Sequence, residues 1–319
     1  MKIGFIGLGN VGFKLANSIL ESGFDLLIND LDKNTGKLLI EKGAKWIETP
    51  KELAQESDIS ITCLPSPSVV SNVLEGSKGL IEGMGPGKLW IEMSTTDDKE
   101  MQRLASLVID KNAFAIEAPV SGGCHRAATG NIAILVGGVR EAFNLAMPVL
   151  SAIGYQILHI GPIGSASVLK VATNYLASTH LAAVGEALMV CKKAGLDLPI
   201  VYEGIKISSG NSFVHETESQ VIMNGSYNIN FTMDLVCKDV GLFEKLAQDM
   251  QVPTEVSPLI TKIFKDGREK YGDRAWSSMI VKRLEDSCGE DLRASGYPDE
   301  LVDDTPRRKG YEVIPNNIK

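Results

Sequence analysis

The sequence lacks the features that mark a disulfide-stabilised, zinc-binding or membrane-spanning protein. Its five cysteines lie far apart in 319 residues and form no C-x-x-C pair, which argues against a disulfide framework and a structural zinc site. No apolar run reaches the roughly 18 residues needed to cross a bilayer. The N-terminus shows no signal peptide, because it enters a short apolar segment and then glycines directly. These absences predict free thiols and a cytoplasmic location.

An excess of positive charge is missing as well. The formal net charge is −8, which does not favour binding to nucleic acid or to an anionic membrane. The four histidines show no spacing typical of metal ligands, so we expect no metal site. The length and the apolar fraction of 44% are ordinary for a globular chain of about two domains.

Short apolar segments alternate with segments of helical composition in the first half of the chain. This alternation predicts right-handed crossovers and a mainly parallel, doubly wound sheet with helices on both faces. The predicted strands cover residues 2–7, 24–29, 59–64, 89–93, 114–118, 132–136 and 155–160. One long helix is predicted at 165–193, and only helices follow, at 199–206, 230–248, 256–270 and 277–284. We therefore expect an α/β domain at 1–163 and an all-α domain at 164–286, joined by the long helix.

The tail at 287–319 differs in composition from both domains. It is polar and charged and contains three prolines, which is typical of a loosely ordered terminus. The alternative is an arm that lies on its own domain or on a neighbouring subunit. Tyr297, Tyr311, Val313 and Ile314 could anchor such an arm.

A glycine pattern follows the first predicted strand and opens a helix. Gly7 permits a tight turn, Gly9 lets the backbone approach a pyrophosphate, and Gly12 allows close helix–strand packing. This context predicts a Rossmann-type dinucleotide site. The predicted contacts come from Gly7, Leu8, Gly9, Asn10, Val11 and Gly12.

An acidic residue is expected at the end of the second strand of such a site, where it binds the ribose hydroxyls. Asp30 occupies that position. A carboxylate there would repel a 2′-phosphate, so the sequence predicts NAD rather than NADP. Lys33, close by, acts against this preference.

Three further segments carry polar groups in apolar surroundings. Backbone N–H groups of Ser121, Gly122 and Gly123 could bind an anion, or the segment could be an ordinary tight turn. Lys170 and Asn174 are four residues apart and share one helix face in a mostly apolar stretch. The third segment is the pair Lys238-Asp239, which could equally be a helix-surface ion pair.

Five separated motifs, taken in order, make residues 1–285 resemble the beta-hydroxyacid dehydrogenase family. The motifs are the glycine loop, Leu64-Pro65, residues 117–123 with Gly130-Asn131, residues 161–174, and Lys238-Asp239. The resemblance implies a Rossmann domain and a helical domain, usually in dimers or tetramers. It implies hydride transfer between NAD and a small 3-hydroxy acid or the matching semialdehyde.

The resemblance also assigns roles to individual residues. Lys170 corresponds to the catalytic lysine, which acts as general acid and base without a metal. The substrate contacts that it implies are Ser121, Gly122 and Gly123 on the carboxylate, together with Asn174 and Lys238. The additional cofactor contacts that it implies are Leu64, Pro65, Thr95 and Lys238.

The chain departs from the family pattern at three places. Glu117 replaces the usual Asp, and Phe213 follows Ser212 where many members have Trp. His125 and Arg126 are bulkier and more polar than the residues common at that point. The last two side chains favour a more polar or doubly anionic substrate, such as a sugar acid or a sulfonate.

Three other functions share parts of this sequence pattern. A 6-phosphogluconate dehydrogenase shares the architecture but needs a basic phosphate pocket and a much longer helical domain. Imine reductases generally lack a lysine at the position of Lys170. A non-catalytic NAD-binding module would be marked by loss of that lysine.

Overall fold

A computed structural model describes residues 1–315 of the chain. The chain divides into two compact units. Of the described residues, the sheet unit contains Met1–Lys170 and residues 303–315, and the helical unit contains Val171–Val302. These boundaries differ from those expected from the sequence, because the division falls inside the long helix and splits the tail between both units. Residues 316–319 of the expected tail lie outside the described residues.

Within the described residues, the sheet unit contains ten strands and seven complete α-helices. The strands are β1 (Lys2–Ile6), β2 (Asp25–Asn29), β3 (Lys45–Trp46), β4 (Ile59–Thr62), β5 (Leu89–Glu92), β6 (Phe114–Glu117), β7 (Val120–Ser121), β8 (Ile132–Gly137), β9 (Gly154–Gly161) and β10 (Tyr311–Glu312). The helices are α1 (Gly12–Glu21), α2 (Lys37–Glu41), α3 (Pro50–Glu56), α4 (Pro67–Glu75), α5 (Asp98–Ile109), α6 (Gly123–Thr129) and α7 (Arg140–Ile153).

The strands form one sheet in the order β10-β9-β8-β6-β5-β4-β1-β2-β3, with β7 paired to β8. The six strands from β3 to β6 are parallel and follow the order 3-2-1-4-5-6 of a doubly wound dinucleotide-binding fold. β8 is antiparallel to β6, and β9 and β10 run parallel to β8. The predicted fold class is thus confirmed.

Apolar side chains on both faces of the sheet explain why its strands are almost continuously hydrophobic. Ile3, Phe5 and Ile28 belong to the core on one face, with α1 and α7. Leu27 and Trp90 belong to the core on the other face, with α3 and α5. Parallel strands covered on both sides by helices need this composition.

The helical unit is built on residues 171–193 of one long helix, α8 (Ser165–Lys193). Its other helices are α9 (Leu198–Lys206), α10 (Phe213–Asn224), α11 (Met233–Asp249), α12 (Val256–Tyr271) and α13 (Lys282–Cys288). Leu188, Met233 and Phe264 are buried in its core. The sequence predicted the extent of α8 but missed α10. Among the described residues, no helix combines the length and apolar character that a bilayer crossing requires.

The described part of the tail is an ordered arm on its own chain. Leu292 is buried in the helical unit, where its N–H donates to Oε1 of Glu285 at 2.9 Å. Further on, Asp303 accepts hydrogen bonds from Thr129 and Asn131 of the sheet unit. β10 then pairs with β9 and extends the sheet. The structure therefore has the arm that the sequence offered as the alternative to a loose terminus.

Candidate active site

The carboxyl ends of the central parallel strands are aligned. Ile6 on β1 is in register with both Asn29 and Thr62, and Glu92 pairs with Thr62 and Glu117. The predicted residues that follow these strands therefore lie along one edge of the sheet. The direction of chain progression reverses between β1 and β4, where ligands bind in such sheets.

The glycine loop combines tight packing with one open position. Gly7 has φ +97°, and a Cβ there would collide with the carbonyl oxygen of Cys63. A Cβ at Gly12 would collide with the carbonyl oxygen of Gly7, whereas a Cβ at Gly9 would meet nothing within 4 Å. Leu8 is buried, Asn10 is exposed, and Val11 is the half-buried N-cap of α1. These positions fit a loop that holds a dinucleotide pyrophosphate.

Asp30 follows β2 and lies beside this loop. Its Oδ2 accepts a hydrogen bond from the N–H of Leu8 at 2.6 Å, and its Oδ1 accepts one from Asp32 at 3.0 Å. The sequence predicted the position of Asp30 but not its contact with the loop backbone. Lys33 Nζ lies 3.1 Å from Oε1 of Glu48 and 5.4 Å from the ring of Trp46.

A buried hydrogen-bond network supports the segments after β4 and β5. The N–H of Leu64 donates to Oγ of Ser94 at 2.7 Å, and the N–H of Ser94 donates to Oε1 of Glu92 at 2.6 Å. The hydroxyl of Thr62 donates to the other oxygen of Glu92. Burial raises the pKa of the Glu92 carboxyl to about 7. Two predicted residues adjoin this network: Pro65 is exposed and Thr95 is half-buried.

The Ser121-Gly122-Gly123 segment is a turn in which both glycines have positive φ. Ser121 ends β7, and Gly122 and Gly123 have φ values of +123° and +85°. A Cβ at Gly122 would lie 3.2 Å from Cδ of Arg126, and one at Gly123 would lie 2.8 Å from the ring of His125. Burial lowers the pKa of His125, and the adjacent charge of Arg126 acts in the same direction.

Lys170 lies in the first part of α8 and is the last residue of the sheet unit. It is 7% exposed. The first turn of this helix is held by Glu117, whose carboxylate accepts from the N–H groups of Gly164 and Ala166 at 2.7 and 2.8 Å. The sequence identified Glu117 only as a departure from the family pattern and gave it no role.

The structure brings Asn174 and Lys238 together on one carboxylate of the helical unit. The amide nitrogen of Asn174 donates to Oδ2 of Asp239 at 2.5 Å, and Lys238 Nζ lies 2.9 Å from Oδ1. Asp239 is 2% exposed, so Lys238-Asp239 is not the surface ion pair that the sequence left open. The role of Asp239 was missed, although an Asp on the apolar face of a helix was a usable signal.

Comparison with known proteins identifies both parts of the chain. A family model described as the NAD-binding domain of 6-phosphogluconate dehydrogenase matches residues 2–161. A second, described as NAD-binding of NADP-dependent 3-hydroxyisobutyrate dehydrogenase, matches residues 164–284. The two matches together stop before the tail begins.

Individual relatives agree with these models. The chain is 33% identical to 2-(hydroxymethyl)glutarate dehydrogenase of Eubacterium barkeri over 91% of this chain and 96% of that one. It is 30% identical to mouse mitochondrial 3-hydroxyisobutyrate dehydrogenase over 87% and 85%. The crystal structure of 3-hydroxyisobutyrate dehydrogenase from Salmonella typhimurium superimposes with a TM-score of 0.82 at 27% identity, covering 89% of this chain and 99% of that one. The chain therefore belongs to the 3-hydroxyisobutyrate dehydrogenase family of oxidoreductases, as its motifs suggested.

Proposed function

We propose that the protein transfers a hydride between NAD and a small 3-hydroxy acid or its semialdehyde, with Lys170 as general acid and base. The observation that carries this proposal is the burial of Lys170 in the same unit as the glycine loop. An amine removed from water is suited to moving one proton at a defined atom. The nicotinamide, when bound, supplies the hydride acceptor or donor.

The role of Lys170 follows from the proton balance of the reaction. Oxidation removes a hydride from the carbinol carbon and a proton from its hydroxyl, and the neutral amine of Lys170 accepts that proton. In reduction, the ammonium group donates a proton to the oxyanion that develops as the hydride arrives. The N–H groups of the Ser121-Gly122-Gly123 turn hold the substrate carboxylate. Family membership supports Asn174 and Lys238 as further substrate contacts, and Lys238 also as a cofactor contact.

The environment of Asp30 supports NAD over NADP. Its carboxylate lies beside the glycine loop, where it would accept from ribose hydroxyls and repel a 2′-phosphate. Lys33, the cation that could offset this repulsion, is paired with Glu48. We expect Asp30→Ala to weaken NAD binding and to narrow the preference over NADP, as measured by titration of both cofactors. Asp32→Ala, a change at the exposed neighbouring acid, should leave the preference unaltered.

A second anionic group on the substrate is supported by the side chains next to the carboxylate-binding turn. Arg126 packs its Cδ against Gly122 and brings a guanidinium to this turn. One relative is named for 2-(hydroxymethyl)glutarate, a dicarboxylate. We therefore propose that dianionic 3-hydroxy acids are used better than monoanionic ones.

A substrate panel tests the proposed function. The purified protein is mixed with NAD or NADP and with monoanionic 3-hydroxy acids, dicarboxylic and sulfonated analogues, and 6-phosphogluconate, while reduced nicotinamide is followed by absorbance. We expect turnover with 3-hydroxy acids, higher kcat/KM for the dianionic ones, and NAD preferred. Turnover confined to 6-phosphogluconate would contradict the proposal.

We propose in addition that the protein forms homodimers or homotetramers. Large apolar side chains are exposed on the helical unit, with Ile200 at 70% and Ile207 at 85%. Exposed apolar groups of this kind occur at subunit interfaces. Light scattering of the purified protein should give a mass of two or four chains, and a monomer mass would contradict this.

A further inference from the structure

Glu117 is a buried carboxylate with both oxygens occupied. Its Oε1 accepts from the N–H groups of Gly164 and Ala166, and its Oε2 accepts from the N–H of Ser167 at 3.0 Å and from the Ser167 hydroxyl. Three of these four donors are backbone N–H groups, which can only donate. The group is therefore held as an acceptor on both sides.

The surroundings of Glu117 are shaped to admit its carboxylate. Gly137 on β8 lies against it, and a Cβ there would collide with Oε1 of Glu117. Gly164 adopts φ +97°, which turns its N–H and the next residues of the chain toward the same carboxylate. A larger residue at 137 would displace the acceptor.

Glu117 provides hydrogen-bond acceptors for backbone N–H groups at the start of α8. The N–H of Ser165 donates to the carbonyl of Pro162. The carboxylate of Glu117 accepts hydrogen bonds from the N–H groups of Gly164, Ala166 and Ser167. The first N–H groups of a helix have no intrahelical partner and need such an acceptor. A carboxylate there also complements the positive end of the helix dipole.

The hydrogen bonds from Gly164, Ala166 and Ser167 to Glu117 form a clamp on the start of α8. Lys170 lies one helical turn beyond this clamp. It follows Ser167 by three residues, and residues so spaced lie on one face with Cβ atoms about 5–6 Å apart. Glu117 in turn ends β6, four residues before Ser121 in the carboxylate-binding turn. The clamp thus connects the helix that carries the amine to the strand that leads to the substrate carboxylate.

We propose that Glu117 is the positioning residue for Lys170: it fixes the first turn of α8 on the end of β6 and so sets where the amine meets the reacting oxygen. This inference rests on the proposed function. A displacement of about 1 Å at a reacting group can reduce a rate by about 10²-fold. Loss of the clamp therefore lowers kcat more than it changes substrate KM or cofactor Kd.

A double-mutant cycle tests this coupling. Glu117→Gln keeps the side-chain shape but replaces one acceptor oxygen with an NH2 group. That group is itself a donor and cannot accept from the donors that it faces. We expect it to lower kcat about tenfold in the wild-type background and less than about twofold in Lys170→Ala, because residues acting through one group are non-additive. Equal effects in both backgrounds, or an unchanged kcat in the folded variant, would overturn the inference.

Milder variants keep the test decisive if Glu117→Gln does not fold. Ser167→Ala removes one donor and should lower kcat by a few fold with KM unchanged. Glu117→Asp keeps both acceptors but draws them back by one C–C bond, about 1.5 Å, and its kcat should lie between those of wild type and Glu117→Gln. If these variants changed KM and left kcat at the wild-type value, that result would also count against the inference.

A matched control separates positioning from general stability. Glu285 is another buried carboxylate, and it accepts from the N–H of Leu292 and from Arg293 in the helical unit. Glu285→Gln should lower the unfolding temperature without lowering kcat. If Lys170→Ala leaves turnover intact, the proposed function fails. If Lys170→Ala loses turnover but the Glu117 variants keep it, the proposed function stands and only the positioning role of Glu117 is wrong.

Discussion

Asp239 shows how one buried carboxylate can hold two side chains that we propose as substrate contacts. Each oxygen serves a different partner, Asn174 from α8 and Lys238 from the preceding position on α11. Asp239 accepts a hydrogen bond from Asn174 and forms an ion pair with Lys238, and a buried charge is costly unless it keeps such partners. The positions of Asn174 and Lys238 in the helical unit therefore depend on Asp239.

The variant Asp239→Asn tests this dependence. The amide keeps the size of the side chain but removes the charge that pairs with Lys238, and a hydrogen bond to a charged group contributes about 1.5–3 kcal/mol. We expect the substrate KM to rise by about tenfold or more with a smaller change in kcat. Asp249→Asn, which alters an exposed acid on the same helix, is the control and should change neither value. A KM equal to that of wild type would contradict the role of Asp239.

The same residues mark the limit of prediction from sequence. The positions of the glycine loop and Asp30 could be predicted because a short pattern next to one strand defines them. The contacts of Asp239 with Asn174 and of Glu117 with Ser167 join residues far apart in the chain. No local pattern encodes which distant donor a buried acid will meet.

At the level of elements, β5 and β6 each end in a buried glutamate. Glu92 and Glu117 are paired across β5 and β6. Burial raises the pKa of Glu92 to about 7, hydrogen bonds from Ser94 and Thr62 oppose this, and the nearby Glu117 adds to it. In the folded state, the Glu92 carboxyl therefore releases its proton at a higher pH than an ordinary glutamate does.

This shift predicts a pH-dependent stability difference between wild type and Glu92→Gln. The folded-state pKa lies above the ordinary value of 4.5, so the folded protein binds the extra proton and wild type loses stability as pH rises from 4.5 to 7. The neutral amide has no such loss. We expect the unfolding temperature of Glu92→Gln, relative to wild type, to rise across this window and to level off above it. A difference that is constant with pH would contradict the shifted pKa.

Elements with long periodic or apolar runs were predicted best, whereas α10 was missed despite its twelve residues. The predicted boundaries of α8 agree with the structure, and those of the central strands agree closely, because long periodic or apolar runs carry a strong signal. The two-residue strands β3, β7 and β10 were missed, since two residues show no alternation. The first turn of the predicted helix at 230–248 is loop up to Thr232, and α11 begins at Met233.

At the level of the whole molecule, the arm formed by the end of the chain is attached to both units. Arg293 donates to Glu285 in the helical unit, and Arg140 makes two hydrogen bonds to Glu312, at 2.6 and 2.7 Å, in the sheet unit. β10 covers the edge of β9, which would otherwise present unpaired backbone groups. The sequence left a loose terminus and an arm as two alternatives, because the tail is polar and its anchors are single residues without periodicity.

Removal of the chain after Val302 tests the contribution of the arm. The truncated protein loses β10, the Asp303 contacts and the Arg140–Glu312 pair. We expect its unfolding temperature to fall by roughly 5 °C or more and its tendency to self-associate to rise, as measured by scanning fluorimetry and light scattering. Arg140→Ala alone breaks a half-exposed pair and should shift the temperature far less. An unfolding temperature equal to that of the full chain would show that the arm adds no stability.

The central claim is that the buried amine of Lys170 carries the proton of the reaction. Its most direct test is the kcat of Lys170→Ala with the best substrate, measured beside NAD affinity and beside Lys192→Ala on the same helix. We predict a loss of about 10²-fold or more, with NAD affinity and the Lys192→Ala control unchanged. A folded Lys170→Ala protein that keeps more than about a tenth of wild-type kcat would contradict the account.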